Sequence, residues 1–155
     1  MAPQIQTGRQ APDFTLTDHE DRQVRLSGLR DRRVIVYFYP KAFTPGCTSE
    51  ACDFRDNLAS LEALGATVLG ISGDDPATLR EFAEEHHLPY PLLSDADSAT
   101  ARAWGAWGEK TVDGQTVVGP LRSTFVVEQD GTVSSAEYAV RAEGHVADLR
   151  RRLAG

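Results

Sequence analysis

At 155 residues, 41% hydrophobic and 25% charged, the chain has the size and composition of one globular domain with a real core. Its formal net charge of −7 argues against nucleic-acid binding, which needs a basic footprint, and no run approaches the ~18 apolar residues of a membrane span. The opening Met1-Ala2-Pro3-Gln4-Ile5-Gln6 lacks the charged and apolar regions of a secretory signal, so the cytoplasm is the expected compartment. There a disulfide between the chain's 2 cysteines would be transient and catalytic rather than structural.

In chain order, Phe14–Leu16 and Gln23–Leu26 flank a polar turn with Asp18, Glu20 and Asp21 and predict an N-terminal hairpin. Val34–Tyr39 is an unbroken apolar and aromatic run, the mark of a strand buried on both faces, and Pro40 ends it. Thr44-Pro45-Gly46-Cys47 reads as a helix start, with Thr44 as N-cap and Pro45 at the first helical position, and the first long helix covers Cys47–Leu64. Ala66–Ile71 is a second buried strand. Asp75-Pro76 opens a helix through about His87, with Leu79, Phe82 and Ala83 facing inward. Pro91–Leu93 predicts a short strand and Ser98–Trp104 a short helix behind an acidic cap region. Thr111–Val118 is hairpin-like around Asp113-Gly114, and Ser123–Val127 with Thr132–Tyr138 forms another across Asp130-Gly131. Gly144–Leu153 closes the chain as a helix whose last turn is capped by Arg150-Arg151-Arg152, the one basic cluster. With no repeat or long linker, residues 1–155 read as a single α/β domain, a sandwich with a mixed central sheet. In such sheets chemistry lies beyond the C-terminal ends of parallel strands, which is where Pro40–Cys47 falls.

Both cysteines sit at that place. Cys47 is at the third helical position, near the positive end of the helix dipole, which favours a thiolate. An N-cap hydroxyl meets the backbone there, so Thr44 Oγ1 is expected beside the sulfur, able to donate to a thiolate or orient a substrate oxygen. Cys47, Ala51, Phe54, Leu58 and Leu61 keep the spacing of an inward helix face, whereas Cys52 shares a mostly polar face with Arg55, Asp56, Ala59 and Glu62. On a regular helix the two Cα atoms are roughly 8.6 Å apart, from about 7.5 Å of rise and a ~140° rotation. A disulfide wants no more than about 6.8 Å, so bonding the pair requires the first turns to unwind. Pro45-Gly46 and the polar setting of Cys52 predict a low-stability segment that loses little packing on opening.

Pro40-x-x-x-Thr44-x-x-Cys47, with Glu50 following, resembles the peroxiredoxin active-site motif. The second cysteine five positions on is similar to the bacterioferritin-comigratory, or PrxQ, subfamily. The resemblance extends over Gly8–Phe14, Leu69–Ser72, Leu93–Asp95, Trp104–Lys110 and Arg122–Val127, with departures at Gly73 and at Gly119-Pro120-Leu121. It implies a thioredoxin-like fold, in agreement with the element order, and a thiol-dependent peroxidase. Cys47 would be the nucleophile, Cys52 the resolving thiol, and Thr44 and Arg122 donors to the sulfur and the peroxide. Pro40 would shape and shield the loop, and Glu50 would hold a backbone or arginine group. The substrates implied are hydrogen peroxide and organic hydroperoxides, the reductant thioredoxin or a similar dithiol, and the assembly a monomer or weak homodimer.

No metal, haem or flavin is required by that chemistry. Cys-x4-Cys without a nearby histidine does not supply the four ligands zinc usually takes; His86-His87 lies near a helix end, and His19 and His145 are scattered. There is no Gly-rich phosphate loop. Trp104, Trp107, Tyr37 and Tyr39 read as core more than site. Two other functions fit a thiol at a helix start: a thiol-disulfide oxidoreductase, which usually carries Cys-x-x-Cys, and a redox sensor whose helix unwinds on oxidation.

Overall fold

The computed structural model describes residues 3–155; Met1 and Ala2, which belong to the stretch searched for a signal, lie outside the described residues. The chain runs through β1 (Thr15–Asp18), β2 (Gln23–Arg25), a 3-10 turn (Leu26–Leu29), β3 (Arg33–Phe38), α1 (Pro45–Ala63) and β4 (Ala66–Ser72). It continues through α2 (Pro76–His86), β5 (Leu92–Ser94), α3 (Ala99–Ala103), β6 (Trp107–Val112), β7 (Gln115–Pro120), β8 (Ser123–Val127), β9 (Val133–Glu137) and α4 (His145–Ala154).

Among the described residues a seven-stranded sheet has the order β2-β1-β5-β4-β3-β8-β9. β3, β4 and β5 are parallel, while β1, β8 and β9 run antiparallel to their neighbours, so the sheet is mixed. The expected N-terminal hairpin forms as β1 and β2 and joins the sheet through β5. Its turn is built on Asp18, whose Oδ1 accepts from the N–H groups of Glu20 and Arg22, each at 2.9 Å.

Alternation along β3 divides the core. Ile35, Tyr37 and Tyr39 face a layer made by α1, α2 and α4, with Cys47, Ala51, Phe54, Leu61, Leu79, Phe82 and Leu149. Val34, Val36 and Phe38 face the opposite layer, with Trp104, Phe125 and Val133. The result is the thioredoxin-like sandwich that the element order implied. Gly70 sits opposite Tyr37 in the β3–β4 pair, and a Cβ there would come within 2.9 Å of the Tyr37 ring, so only glycine lets that ring lie across the sheet.

Two elements differ from the sequence reading. The hairpin predicted over Thr111–Val118 is longer, pairing Trp107 with Pro120, and forms its own two-stranded sheet. Gly108, Gly119 and Pro120 carry no strand signal, yet the register continues through them because Pro120 stands at the strand's end. α3 is shorter than predicted, and Ser98, with φ 58°, makes no cap bond. Asp95 supplies the acidic cap instead, accepting from Thr100 and Ala101 N–H at 3.1 and 3.0 Å. In α4 the basic cluster is in the last turns as read, and Arg152 pairs with Asp148 at 3.3 Å and with Glu137.

Candidate active site

The site lies where β3 ends and α1 begins. Between them the chain makes a tight loop in which Phe43 adopts a left-handed conformation, φ 68°, unusual for an aromatic residue and a mark of local strain. Asp74, just past β4, holds the loop: its Oδ2 accepts from Ala42 N–H at 2.8 Å and from Ser72 Oγ at 2.7 Å. Only one of Asp74 and Asp75 is needed to cap α2, and Asp75 does so by accepting from Thr78 N–H at 2.8 Å. The spare aspartate was the sequence signal for this anchor.

Thr44 is the N-cap by backbone geometry, φ −78° and ψ 150°, and Pro45 occupies the first turn as expected. The hydroxyl does not cap. It donates back to Lys41 C=O at 2.7 Å, so the expected donation toward the sulfur is corrected. The physical reason is local: the turn at Phe43 brings that carbonyl within reach, and a short-range side-chain-to-backbone bond wins. With its proton committed, Thr44 Oγ1 presents lone pairs only. The first helical bond runs from Thr48 N–H to Thr44 C=O at 2.9 Å, which leaves Gly46 and Cys47 N–H with no intrahelical partner.

Cys47 is 1% exposed, and both cysteines are free thiols. Arg122 reaches the sulfur from the segment between β7 and β8: its Nη2 donates to Cys47 Sγ at 3.3 Å and its Nη1 to Glu50 Oε1 at 2.7 Å. A Cβ on Gly46 would lie 3.1 Å from that Nη2, so a side chain before the cysteine would press on the guanidinium. Glu50 is fully buried, not the solvated carboxylate its first-turn position permits. Among the described residues its Oε2 has no hydrogen-bond partner. Pro40 is half-buried at the end of β3, beside the loop. Cys52 is half-buried, on the helix face away from the sulfur of Cys47. Thus Arg122 is in direct contact with both Cys47 and Glu50, and Thr44 and Pro40 lie in the loop that leads into α1.

The inner face of these first turns is better packed than the sequence suggested. Cys47, Glu50, Ala51 and Phe54 are all buried, so opening this segment breaks an ion pair and core contacts. The spacing of the inward stripe contained that information. Lys110 also bears on the site. Its Nζ donates to Pro120 C=O at 2.6 Å, and its charge bears on both Cys47 and Arg122. Among the described residues no group of three or more His, Cys, Asp or Glu side chains lies close enough to hold a metal ion. Buried His145 instead shares a 2.8 Å hydrogen bond with Thr124 Oγ1.

Residues 7–136 match the AhpC/TSA family. Peroxiredoxin Bcp of Escherichia coli K12 is 46% identical over 129 residues, covering 83% of each chain. The chain belongs to the peroxiredoxins. A Mycobacterium tuberculosis protein that bears a provisional peroxiredoxin name is 55% identical over 146 residues, 94% of this chain and 93% of that one. Among solved structures, the Xanthomonas campestris bacterioferritin comigratory protein superposes with a TM-score of 0.88 at 32% identity, over 96% of this chain and 98% of that one. A cysteine-to-serine mutant of Xylella fastidiosa PrxQ gives 0.91 at 28%, over 99% and 98%. This peroxiredoxin therefore falls with the bacterioferritin-comigratory, or PrxQ, group, and it is a peroxidase.

In this peroxiredoxin, burial raises the Glu50 pKa to about 7, against the opposing pull of the Arg122 charge and hydrogen bond, with Asp53 adding a smaller upward push. A carboxyl raised in the folded state binds its proton more tightly than the unfolded chain does. Its contribution to stability is then full below about pH 4.5 and lost as pH rises through about 7. Relative to Glu50→Gln, which does not titrate, the wild type should lose up to about 3 kcal/mol between these limits. Denaturant unfolding of both proteins at pH 5 and pH 8 measures this. Parallel profiles would mean that Glu50 is ionised throughout.

Proposed function

We propose that this peroxiredoxin reduces hydrogen peroxide and organic hydroperoxides through Cys47, with Cys52 as the resolving thiol and thioredoxin or a similar dithiol as the reductant. The observation that carries the reading is the Arg122 guanidinium at 3.3 Å from Cys47 Sγ, at the N-terminus of α1. A cation and a helix end together stabilise a thiolate there.

In the first step the thiolate attacks the terminal oxygen of the hydroperoxide. A sulfur–oxygen bond forms, the O–O bond breaks, and two electrons pass from sulfur to the peroxide. The transferred oxygen keeps its proton, giving Cys47 sulfenic acid, and the leaving alkoxide or hydroxide takes up a proton to become alcohol or water. Arg122 and the N–H groups of Gly46 and Cys47 are the donors for charge moving onto the leaving oxygen. Thr44 Oγ1 accepts from the peroxide's own hydroxyl, since its proton is committed to Lys41. Glu50 fixes the guanidinium plane through the 2.7 Å bond, and Pro40 shapes the loop that keeps water from the sulfur. The Cys52 thiolate then attacks the sulfenic sulfur. The S–S bond forms as the S–O bond breaks, and hydroxide leaves as water. The described residues contain no helix long and apolar enough to cross a membrane. A reducing compartment such as the cytoplasm suits a cycle that begins from two free thiols.

The structure of the Xanthomonas campestris relative is presented as bearing on its alkyl peroxide reduction activity, which supports including organic hydroperoxides here. A steady-state assay with hydrogen peroxide and cumene hydroperoxide, coupled to thioredoxin, tests the reading; no thioredoxin-dependent consumption of either peroxide refutes it. Cys52→Ser should consume one equivalent of peroxide and stop as sulfenic acid, detected by dimedone adduction and mass spectrometry. Full thioredoxin-dependent turnover by that variant would remove Cys52 from the cycle.

A further inference from the structure

The carbonyl of Ala51 lies in α1 between the two cysteines, and it accepts a hydrogen bond from outside the helix. Tyr90, in the segment joining α2 to β5, donates its hydroxyl to that carbonyl at 2.9 Å. A phenol has one proton to give, so in the 2.7 Å contact between the Tyr37 and Tyr90 hydroxyls Tyr37 is the donor. Both side chains are buried, and burial pushes both phenols well above their usual value, which keeps them protonated. Tyr37 is itself fixed: its ring stacks on Phe54 with centroids 4.4 Å apart and lies against Gly70. The stretch of helix between Cys47 and Cys52 is therefore tied by two hydroxyls to the central strand β3.

We propose that Tyr90, backed by Tyr37, is a positioning residue that latches the first turns of α1 in helical form and so sets the rate at which the Cys47–Cys52 disulfide forms. This deepens the function proposed above and rests on it. The resolving step brings two residues with Cα atoms roughly 8.6 Å apart to within about 6.8 Å, so the peptide units between them must leave helical geometry. The Ala51 carbonyl belongs to that stretch, so a bond that holds it in place resists the opening of the turn. The same bond favours the closed helix start, which is the form that presents Cys47 to peroxide.

Tyr90→Phe keeps the ring and removes the hydroxyl. Tyr37→Phe removes an equally buried hydroxyl but leaves Tyr90 able to donate to Ala51. Rapid mixing of wild type and variants with one equivalent of hydrogen peroxide, followed by quenching and mass spectrometry, separates the oxidation rate from the rate of disulfide formation. Hydrogen exchange on the reduced proteins reads helix opening across residues 48–55. Tyr90→Phe should speed disulfide formation, and exchange in that stretch, about 2- to 12-fold, the net effect of one hydrogen bond. Its oxidation rate should be unchanged, and Tyr37→Phe should have a smaller effect on both readouts. No acceleration in Tyr90→Phe would overturn the latch. So would equal acceleration in the two variants, which marks a general loosening of the core. If the wild type forms no Cys47–Cys52 disulfide, the two-cysteine cycle fails instead. The exchange rates of the reduced proteins then still decide whether Tyr90 holds the helix.

Discussion

Cys47→Ser is expected to lower peroxide consumption to the uncatalysed background. A serine hydroxyl is a weak nucleophile at neutral pH, and no side-chain base is hydrogen-bonded to position 47: its partner Arg122 is a cation, Glu50 Oε1 is engaged by that guanidinium, and Thr44 Oγ1 donates to Lys41 C=O. The substitution is nearly isosteric at a side chain 1% exposed, so the fold should persist and the lost rate can be read as lost chemistry. Peroxide consumption by the purified variant, together with its unfolding curve, checks both halves. Retention of most of the activity would show that Cys47 is not the nucleophile.

Arg122→Ala should slow the first oxidation step on the order of 10² to 10³, the effect of losing one preorganised donor worth about 2.7 to 4 kcal/mol in the transition state. The second-order rate with hydrogen peroxide, measured by stopped flow, is the readout, and an unchanged rate would take Arg122 out of the site. The variant also strips Glu50 of its ion-pair partner. Stranding a buried charge usually costs several kcal/mol, yet this carboxyl already titrates at about 7 and can take a proton instead. Adding Glu50→Gln to Arg122→Ala should therefore recover stability and leave the rate low, which separates the role in folding from the role in chemistry.

How much of this was legible in the sequence depended on how local each cause was. β3 and β4 follow from apolar runs closed by Pro40 and Ser72-Gly73, and the start of α1 from Thr44-Pro45. The Cys47–Ala51–Phe54–Leu61 stripe became the buried face of α1 because helical spacing alone puts those residues on one side. What failed depended on tertiary packing or, at Thr44, on one unforeseen backbone turn. The direction of the Thr44 hydroxyl depends on the left-handed turn at Phe43. The burial of Glu50 depends on an arginine 72 residues away. The tie to the Ala51 carbonyl depends on a tyrosine 39 residues on that is flanked by prolines and carries no periodic signal. Gly46 marks a helix start in the sequence, and only the fold shows that a side chain there would press on Arg122.

The β6–β7 hairpin gives the protein a site that can vary freely beside one that cannot. At its base, Leu121 N–H bonds Ala106 C=O and Val140 N–H bonds Arg122 C=O, each at 2.9 Å, so the arginine backbone is pinned on both sides. At its tip Val112 is 47% exposed, and the turn at Asp113-Gly114 lies in solvent. Residues can be inserted, deleted or exchanged at the tip without displacing the guanidinium, because the ladder between them absorbs the change. Evolution, or an engineer fusing a peptide there, can remodel the tip while the backbone that carries Arg122 stays held at the base.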